Sequence, residues 1–441
     1  MTPPTTTGSR DPSSRRAGSD ALIRTTIGAD AWLLRRGWEA RLLGPGSPDW
    51  FALEEEPRAT RVKAGRLRMV WAVPVDAYTV YAKVAEHPGW IRGLKRLVAA
   101  GAAEREMRAC VAAAARGLPV APALAVGRRR GSSGVSVFLS EGVADAISLS
   151  DAWSNVVLNG DEGSCRTAAR GYIDAVADLF ARAHERGFLH GDAHPSNVLT
   201  TRDAGGRVAT TWIDLKAARF LRGPASLSPS IRSLAQLDQY FHRRATRTER
   251  LRFLRRYLAA RPSVTSGPWP SLRGCTERLS QARCRHNAAL VAQRDRRLHR
   301  RGRYFTTLDL GRGWTALVAL RLERRHLFPE PNIPDRDRQA WSILARSIIA
   351  RIDERVGATR PASFDIEGLS CDVRRIRGLG TRLRAMSLGS AHRRRFVACH
   401  RERHRDIRSE LILGVAERRR KGLVDLSVLI RPGESEEGRP R

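Results

Sequence analysis

The sequence predicts an α+β chain of two lobes, an antiparallel sheet leading into a mainly helical body, with a C-terminal extension beyond them. Two observations carry this expectation. Between residues 60 and 86, two runs rich in β-branched and aromatic residues flank a short turn, the pattern of a hairpin. From Ile173 onward apolar residues recur at spacings of three and four, the period of a helix, and a second hairpin pattern interrupts them near residue 200. The expected division is a disordered tail over 1–28, a sheet lobe over 29–140, a helical lobe over 141–300 and an extension over 301–441.

Each element has its own local signal. The first 28 residues are rich in Thr, Pro, Ser, Gly and Arg and lack the apolar run of a signal peptide. Residues 66–73 and 78–84 read as strands around a turn at Pro74 to Ala77, and Lys83 closes the second. Gly101 to Arg116 reads as an alanine-rich helix ended by Gly117, with Pro119 beyond it. Short strands follow at 123–126 and 135–139 around a basic glycine turn, and then Ser140-Glu141-Gly142-Val143 as a hinge between the lobes. Ile173, Val176, Ala177, Phe180 and Ala183 form a helix face that Gly187 closes. Asn197-Val198-Leu199 begins a strand, Asp203 to Gly206 is a turn, and Val208 to Ile213 returns. Residues 230–261 read as helical and 261–274 as a loop. Thr306 to Leu322 reads either as a strand pair around Gly311-Arg312-Gly313 or as a helix, and an amphipathic helix over 341–356 completes the reading. No sequence repeat stands out, although the strand-then-helix order of 306–356 echoes the first lobe.

Composition narrows the partners. The formal net charge is +34, and of 79 basic residues five are lysine and 74 arginine. Arginine-rich codon usage explains such a skew without function, yet charge of this size attracts polyanions, which opens both an anionic membrane surface and nucleic acid as partners. The sequence has no aromatic–basic motif or zinc module, which disfavours nucleic acid. The six cysteines form no CxxC pair and are expected as free thiols in a reducing compartment. No run approaches the ~18 apolar residues of a membrane span, so a soluble or peripheral protein is expected.

The most informative stretch is residues 188–216, FLHGDAHPSNVLTTRDAGGRVATTWIDLK. It places Asp192 on a loop, Asn197 at the start of a strand, and Asp214 where the hairpin returns beside Asn197. Asp192 can accept the proton of an attacking hydroxyl, and Asn197 and Asp214 offer the hard oxygens that Mg²⁺ prefers. His190 reads as a packing and hydrogen-bonding residue of the loop, whereas His194 fits either substrate contact or turn formation. On the preceding helix Glu106 is the preferred partner for Lys83, since its face continues through Cys110 and Ala113 while Glu104 continues into Arg108.

With Lys83, Glu106, Asp192, Asn197 and Asp214 in hand, the chain resembles the lipopolysaccharide kinase (Kdo/WaaP) family of protein-kinase-like enzymes. The resemblance runs from about residue 60 to about 260 and rests on VYAKVAE, REMRACVAAAARGLPVAPALAVG, FLHGDAHPSNVL, WIDLKAARF and IRSLAQLDQYFHRRATRTERLRFLRRYL. It implies ATP and Mg²⁺, with Lys83 gripping phosphate, Glu106 orienting Lys83, Glu141 at the adenine hinge, Asp192 as base, and Asn197 and Asp214 as metal ligands. It also implies a lipid-linked sugar acceptor, a heptose or Kdo hydroxyl of the lipopolysaccharide core, phosphorylated in the cytoplasm or on the inner membrane. A protein or small-molecule acceptor, or a pseudokinase binding module, are the alternatives. Two departures stand out: no GxGxxG loop precedes Lys83, and Ser233 stands where an aspartate often braces the catalytic loop.

Overall fold

The computed structural model describes residues 21–64, 68–85, 92–129, 135–158, 162–265, 271–298, 305–320, 334–355, 363–366, 369–405, 407 and 409–432. The chain forms two compact units, Met1–His286 and Asn287–Arg441.

The first unit opens with β1 (Leu22–Ile27), β2 (Asp30–Arg35), α1 (Glu39–Leu43), β3 (Thr60–Ala64), β4 (Arg68–Val75), β5 (Tyr78–Ala85), α2 (Arg92–Ala115), β6 (Ala123–Arg129) and β7 (Ser136–Glu141). The strands form one antiparallel sheet in the order β1-β2-β6-β7-β5-β4-β3. Period-two alternation sets its faces. Val80, Ala82 and Val84 of β5 and Val73 of β4 point into one core with Trp32, Leu34 and Trp50. Lys83 therefore projects from the opposite face of β5.

β1 corrects the expected tail. Residues 1–20 lie outside the described residues, but Leu22 to Ile27 pair with β2 from Leu22↔Arg35 to Ile27↔Asp30. The run LIRTTI has β-branched residues enough for a strand, and Gly28, at φ +56°, supplies the left-handed turn that joins it to β2.

The helical body follows as β8 (Ile147–Ser148), α3 (Leu149–Ala152), a π-helical turn (Trp153–Leu158), α4 (Glu162–Glu185), β9 (Phe188–Leu189), β10 (Val198–Arg202), β11 (Val208–Trp212), β12 (Arg219–Phe220), α5 (Leu227–Phe241), α6 (Arg247–Ala259), α7 (Pro262–Thr265) and α8 (Leu272–Arg297). The α4 stripe expected from the sequence is the core: Ile173, Val176, Ala177, Phe180 and Ala183 are all buried. α6 starts with a complete capping box between Thr246 and Glu249 and lies along α4 through the pairs Arg252–Asp174 and Arg256–Asp178. Of the loop expected over 261–274, residues 266–270 lie outside the described residues, while Pro262–Thr265 and the chain from Leu272 are helical. Pro262 starts α7 where a missing N–H costs nothing, and Arg261 is fully buried, bonding to Glu185, Ser230, Tyr257, Ala225 and Ser263.

The second unit comprises β13 (Phe305–Gly311), β14 (Trp314–Ala319), a helix at Pro334–Arg355, β15 (Phe364–Ile366), β16 (Leu369–Arg375), helices at Leu379–Leu388 and Ala391–His404, β17 (Gly414–Arg420) and β18 (Leu423–Pro432). Its antiparallel sheet runs β13-β14-β17-β18-β16-β15. One face packs on Trp341, Ile348 and Ile352 of the first helix, and the other on Phe396 and Cys399 of the last.

This order repeats that of the first sheet. Both are three sequential hairpins with helical chain between the second and third, and both place the third hairpin between the first two. Replacing β1, β2, β6, β7, β5 and β4 by β13, β14, β17, β18, β16 and β15 reproduces the strand order, and β3 is an added edge. Counting from the pairs that flank each middle hairpin turn, Val75↔Tyr78 and Ile366↔Leu369, Arg374 takes the register position of Lys83. It is exposed and lies 3.6 Å from Asp372. The likeness of the two sheets thus lies in their strand order, in which the 306–319 strands correspond to β1 and β2.

Candidate active site

Lys83 leaves β5 toward α2, and Glu106 is the α2 residue it meets. Nζ donates to Glu106 Oε1 at 2.5 Å, and the Glu106 carboxylate is almost fully buried. Two observations explain why a lysine suits this place. Its slender stem passes Phe138, directly opposite on β7 with the ring centroid 5.2 Å from Nζ, and its point charge serves carboxylates on two elements at once. The second carboxylate is Asp214, whose Oδ1 is 3.9 Å from Nζ. Glu104 instead forms a surface pair with Arg108, one helical turn on.

The Asp192 loop is built from backbone hydrogen bonds. Gly191 has φ +76°, and a side chain there would strike the Ala217 carbonyl, so glycine is required on both counts. His190 is buried; its Nε2 donates to the Ile213 carbonyl at 2.9 Å and its Nδ1 accepts from the Asp192 N–H at 3.3 Å. Burial pushes its pKa down, against the Ile213 carbonyl and the charges of Asp192 and Asp214, so the ring is a neutral strut. The Asp192 carbonyl accepts from His194 N–H at 2.8 Å and from Asn197 Nδ2 at 2.9 Å. Its carboxylate is exposed and makes no hydrogen bond among the described residues, as a proton acceptor requires. His194 takes the turn role: its Nδ1 accepts from Ser196 N–H at 3.3 Å and caps the 3-10 turn Pro195–Asn197.

Asn197 and Asp214 meet at the mouth of the β10–β11 hairpin. Val198 pairs with Trp212, and the Ile213 N–H donates to the Asn197 carbonyl at 3.0 Å. Asp214 then turns into the left-handed region at φ 60° and ψ 57°, a conformation that Asp tolerates better than most residues and that is concentrated at functional sites. Burial pushes its carboxyl up, but Lys83, Lys216 and Arg68 outweigh that and hold it below the usual carboxylate range.

The residues fit a divalent cation. Asp214 Oδ1 is buried and accepts no hydrogen bond among the described residues. The Asn197 amide spends its N–H on the loop and leaves its oxygen for a ligand. Among the described residues no cluster of three or more His, Cys, Asp or Glu side chains could hold a metal. Two protein oxygens suit Mg²⁺, which commonly takes one or two side chains and fills its shell with water and substrate phosphate.

The expected hinge follows β7. Glu141 ends β7, where its N–H donates to the Pro122 carbonyl at 2.8 Å, while the Gly142 N–H donates to Thr79 at 2.7 Å. Those two donors are committed within the protein.

Three residues escaped the sequence reading. Arg68 of β4 reaches Glu106 at 3.4 Å, which adds a second cation beside Lys83 where the glycine-rich loop is lacking. Lys216 lies 3.0 Å from Asp214 Oδ2; its position two residues beyond the aspartate was the available signal. Gln236 of α5 braces the catalytic loop, accepting from Ala193 N–H at 2.8 Å and donating to the Gly191 carbonyl at 3.2 Å. The brace therefore comes from Gln236 and not from position 233, where the buried Ser233 hydroxyl makes no hydrogen bond among the described residues.

A two-lobed site with a lysine–glutamate pair, an exposed loop aspartate and an Asn–Asp pair on a hairpin is a protein-kinase-like arrangement. Comparison with protein families matches residues 93–257 to the lipopolysaccharide kinase (Kdo/WaaP) family. That stretch is similar to the family. It holds Glu106, Glu141, Asp192, Asn197 and Asp214, whereas Lys83 precedes it and owes its place in the site to the geometry alone. The match is shorter than the 60–260 span of the sequence resemblance. Among solved structures, the chain is similar to WaaP in complex with acyl carrier protein, at 18% identity and a TM-score of 0.39 over 58% of this chain and 98% of that one. It is also similar to the BubR1 kinase domain, at 12% identity and a TM-score of 0.31 over 60% of this chain and 83% of that one. No curated protein sequence matches the chain.

Proposed function

We propose that the first unit is an ATP- and Mg²⁺-dependent kinase that phosphorylates a sugar hydroxyl, heptose or Kdo, of the lipopolysaccharide core or a related envelope glycolipid at the cytoplasmic membrane face. The observation that carries the kinase part is the convergence on one site of Lys83, Glu106 and Asp214, which are far apart in sequence, with Lys83 Nζ 2.5 Å from one carboxylate and 3.9 Å from the other. The family match over residues 93–257 supports the sugar acceptor, and the charge of +34 supports an anionic surface.

In this reading Asp192 accepts the proton of the attacking hydroxyl as the new O–P bond forms. Lys83, held by Glu106, fixes the nucleotide phosphates, and Arg68 adds positive charge beside it. Asn197 and Asp214 would hold Mg²⁺, which when bound neutralises phosphate charge. Gln236 and His190 keep Asp192 in place between turnovers, so the loop is organised before substrate arrives.

The test is phosphate transfer from labelled ATP with Mg²⁺ to a panel of acceptors, with Asp192→Asn as the paired control. Transfer to a core oligosaccharide that the Asn variant loses by about three orders of magnitude or more is expected. Transfer only to a protein or a small molecule would reassign the acceptor, and ATP binding without transfer to any acceptor would mark a pseudokinase.

A further inference from the structure

The second unit lies outside the family match, and its Leu379–Leu388 helix is poorly covered. One side of this ten-residue helix is anchored: Ala385 is 5% exposed and packs with Ile376 and Val424. The other side presents Leu379, Leu383 and Met386, which at spacings of four and three form a single stripe and are 66%, 44% and 47% exposed. Leu388, at the helix end, is 60% exposed. Scattered surface leucines need no explanation, but an aligned stripe on one short helix does.

The surroundings say what covers it. From Val373 to Arg401 the sequence contains nine arginines and no acidic residue. Arg377 precedes the helix and Arg384 lies about 100° round it from Leu383; both are exposed, and neither forms an ion pair among the described residues. Leucine and methionine on one side of a helix, flanked by cations, match the interfacial region of an anionic bilayer, where apolar side chains enter the headgroup layer and arginines meet phosphates. Nucleic acid fits less well, because Val373 to Arg395 has no Phe, Tyr or Trp on which a base could stack. A second copy of the chain fits less well too, since a helix only ~15 Å long covers far less than the ~1,000 Å² of a stable protein interface. Among the described residues no helix is long and apolar enough to cross a membrane.

We propose that the Leu379–Leu388 helix is a membrane-docking element, seating its Leu379, Leu383 and Met386 stripe in the headgroup layer of an anionic lipid surface while the neighbouring arginines hold lipid phosphates. This deepens the membrane part of the proposed function by assigning it to a named surface. Bound this way, the second unit would keep the whole chain at the lipid phase in which a glycolipid acceptor resides.

The test is sedimentation of the full-length protein with vesicles of phosphatidylcholine alone or containing about one-third phosphatidylglycerol. Wild-type protein is expected to bind the anionic vesicles and to leave them at high salt. The variant Leu379→Ser/Leu383→Ser/Met386→Ser, which leaves the charge unchanged, is expected to lose at least about tenfold in partitioning, and Arg377→Gln/Arg384→Gln about fivefold for each charge removed. An unchanged melting temperature shows that the fold is intact. Undiminished vesicle binding by the triple variant overturns the proposal, as does failure of the wild type to bind. A concentration-dependent dimer that the triple variant abolishes would assign the stripe to a second copy instead and also overturns it. ATP turnover on a water-soluble acceptor, measured on the same samples, separates the two claims. Lost vesicle binding with retained turnover supports the docking element, and absent turnover in the wild type counts against the kinase reading alone.

Discussion

Replacing Gln236 by leucine removes the brace of the catalytic loop while keeping side-chain bulk. Its Oε1 accepts the N–H of Ala193, a residue with no exposed surface, so water cannot take over that bond. A buried donor left without a partner costs about 1–3 kcal/mol. The bond to the Gly191 carbonyl is cheaper to lose, because Gly191 is exposed and water can replace the amide. If the penalty falls on the working conformation of the loop, turnover drops about five- to a hundredfold, at roughly 1.4 kcal/mol per decade. The KM for ATP should change far less, since Lys83 and Asp214 are held on other elements. Gln236→Glu keeps the acceptor for Ala193 and should stay within about threefold of wild type. Ser233→Ala should be neutral, because the hydroxyl it removes has no partner among the described residues. The assays are single-turnover phosphate transfer and hydrogen exchange at the Ala193 amide. Full turnover and full amide protection in Gln236→Leu, or a larger loss in Ser233→Ala, would refute the assignment.

Two further outcomes are expected. Lys83→Ala should reduce turnover by about two or more orders of magnitude through lost phosphate positioning, and Lys83→Arg should not restore it, since a wide planar fork replaces the point charge that passes Phe138 to reach both Glu106 and Asp214; unchanged steady-state kinetics for either variant would mean that another cation grips the phosphates. Stability should fall in acid: burial and the Arg261 charge push His184 down to about 3, so below its ordinary value near 6.5 the unfolded chain takes up a proton that the folded chain refuses. The loss is on the order of 1.4 kcal/mol per pH unit from about pH 6.5 toward pH 3, and full stability is present above that window. His184→Gln should be less stable at pH 7 but shallower in its pH slope in urea denaturation, and an unchanged slope would contradict the argument.

The parts legible in the sequence were those specified by neighbours along the chain. The α4 stripe, the β10–β11 hairpin and the helix face carrying Glu106 all follow from periodicity and turn chemistry, whereas the structure chose strands for β13 and β14, where the sequence allowed strand or helix. Where the reading failed, local composition competed with the fold. LIRTTI follows a low-complexity stretch and was absorbed into it, although it pairs along its length with β2. The Pro- and Ser-rich residues after Arg261 read as loop, but Pro262–Thr265 form a helical turn whose Ser263 bonds to the buried Arg261 guanidinium.

By itself, then, the sequence determined which residues could carry phosphoryl transfer, because Asp192, Asn197 and Asp214 are fixed by one short loop and one hairpin. Tertiary structure decided how they are held. The meeting of Lys83 with Glu106, the arrival of Arg68, and the choice of Gln236 over Ser233 as the brace depend on which faces of separate elements pack together, and no local period encodes that. The repeated strand order of the second unit belongs to the same class. Strand order arises from non-local pairing that buries apolar faces, so two sheets can share it while their sequences differ and while one carries arginine in the register position of the other's lysine.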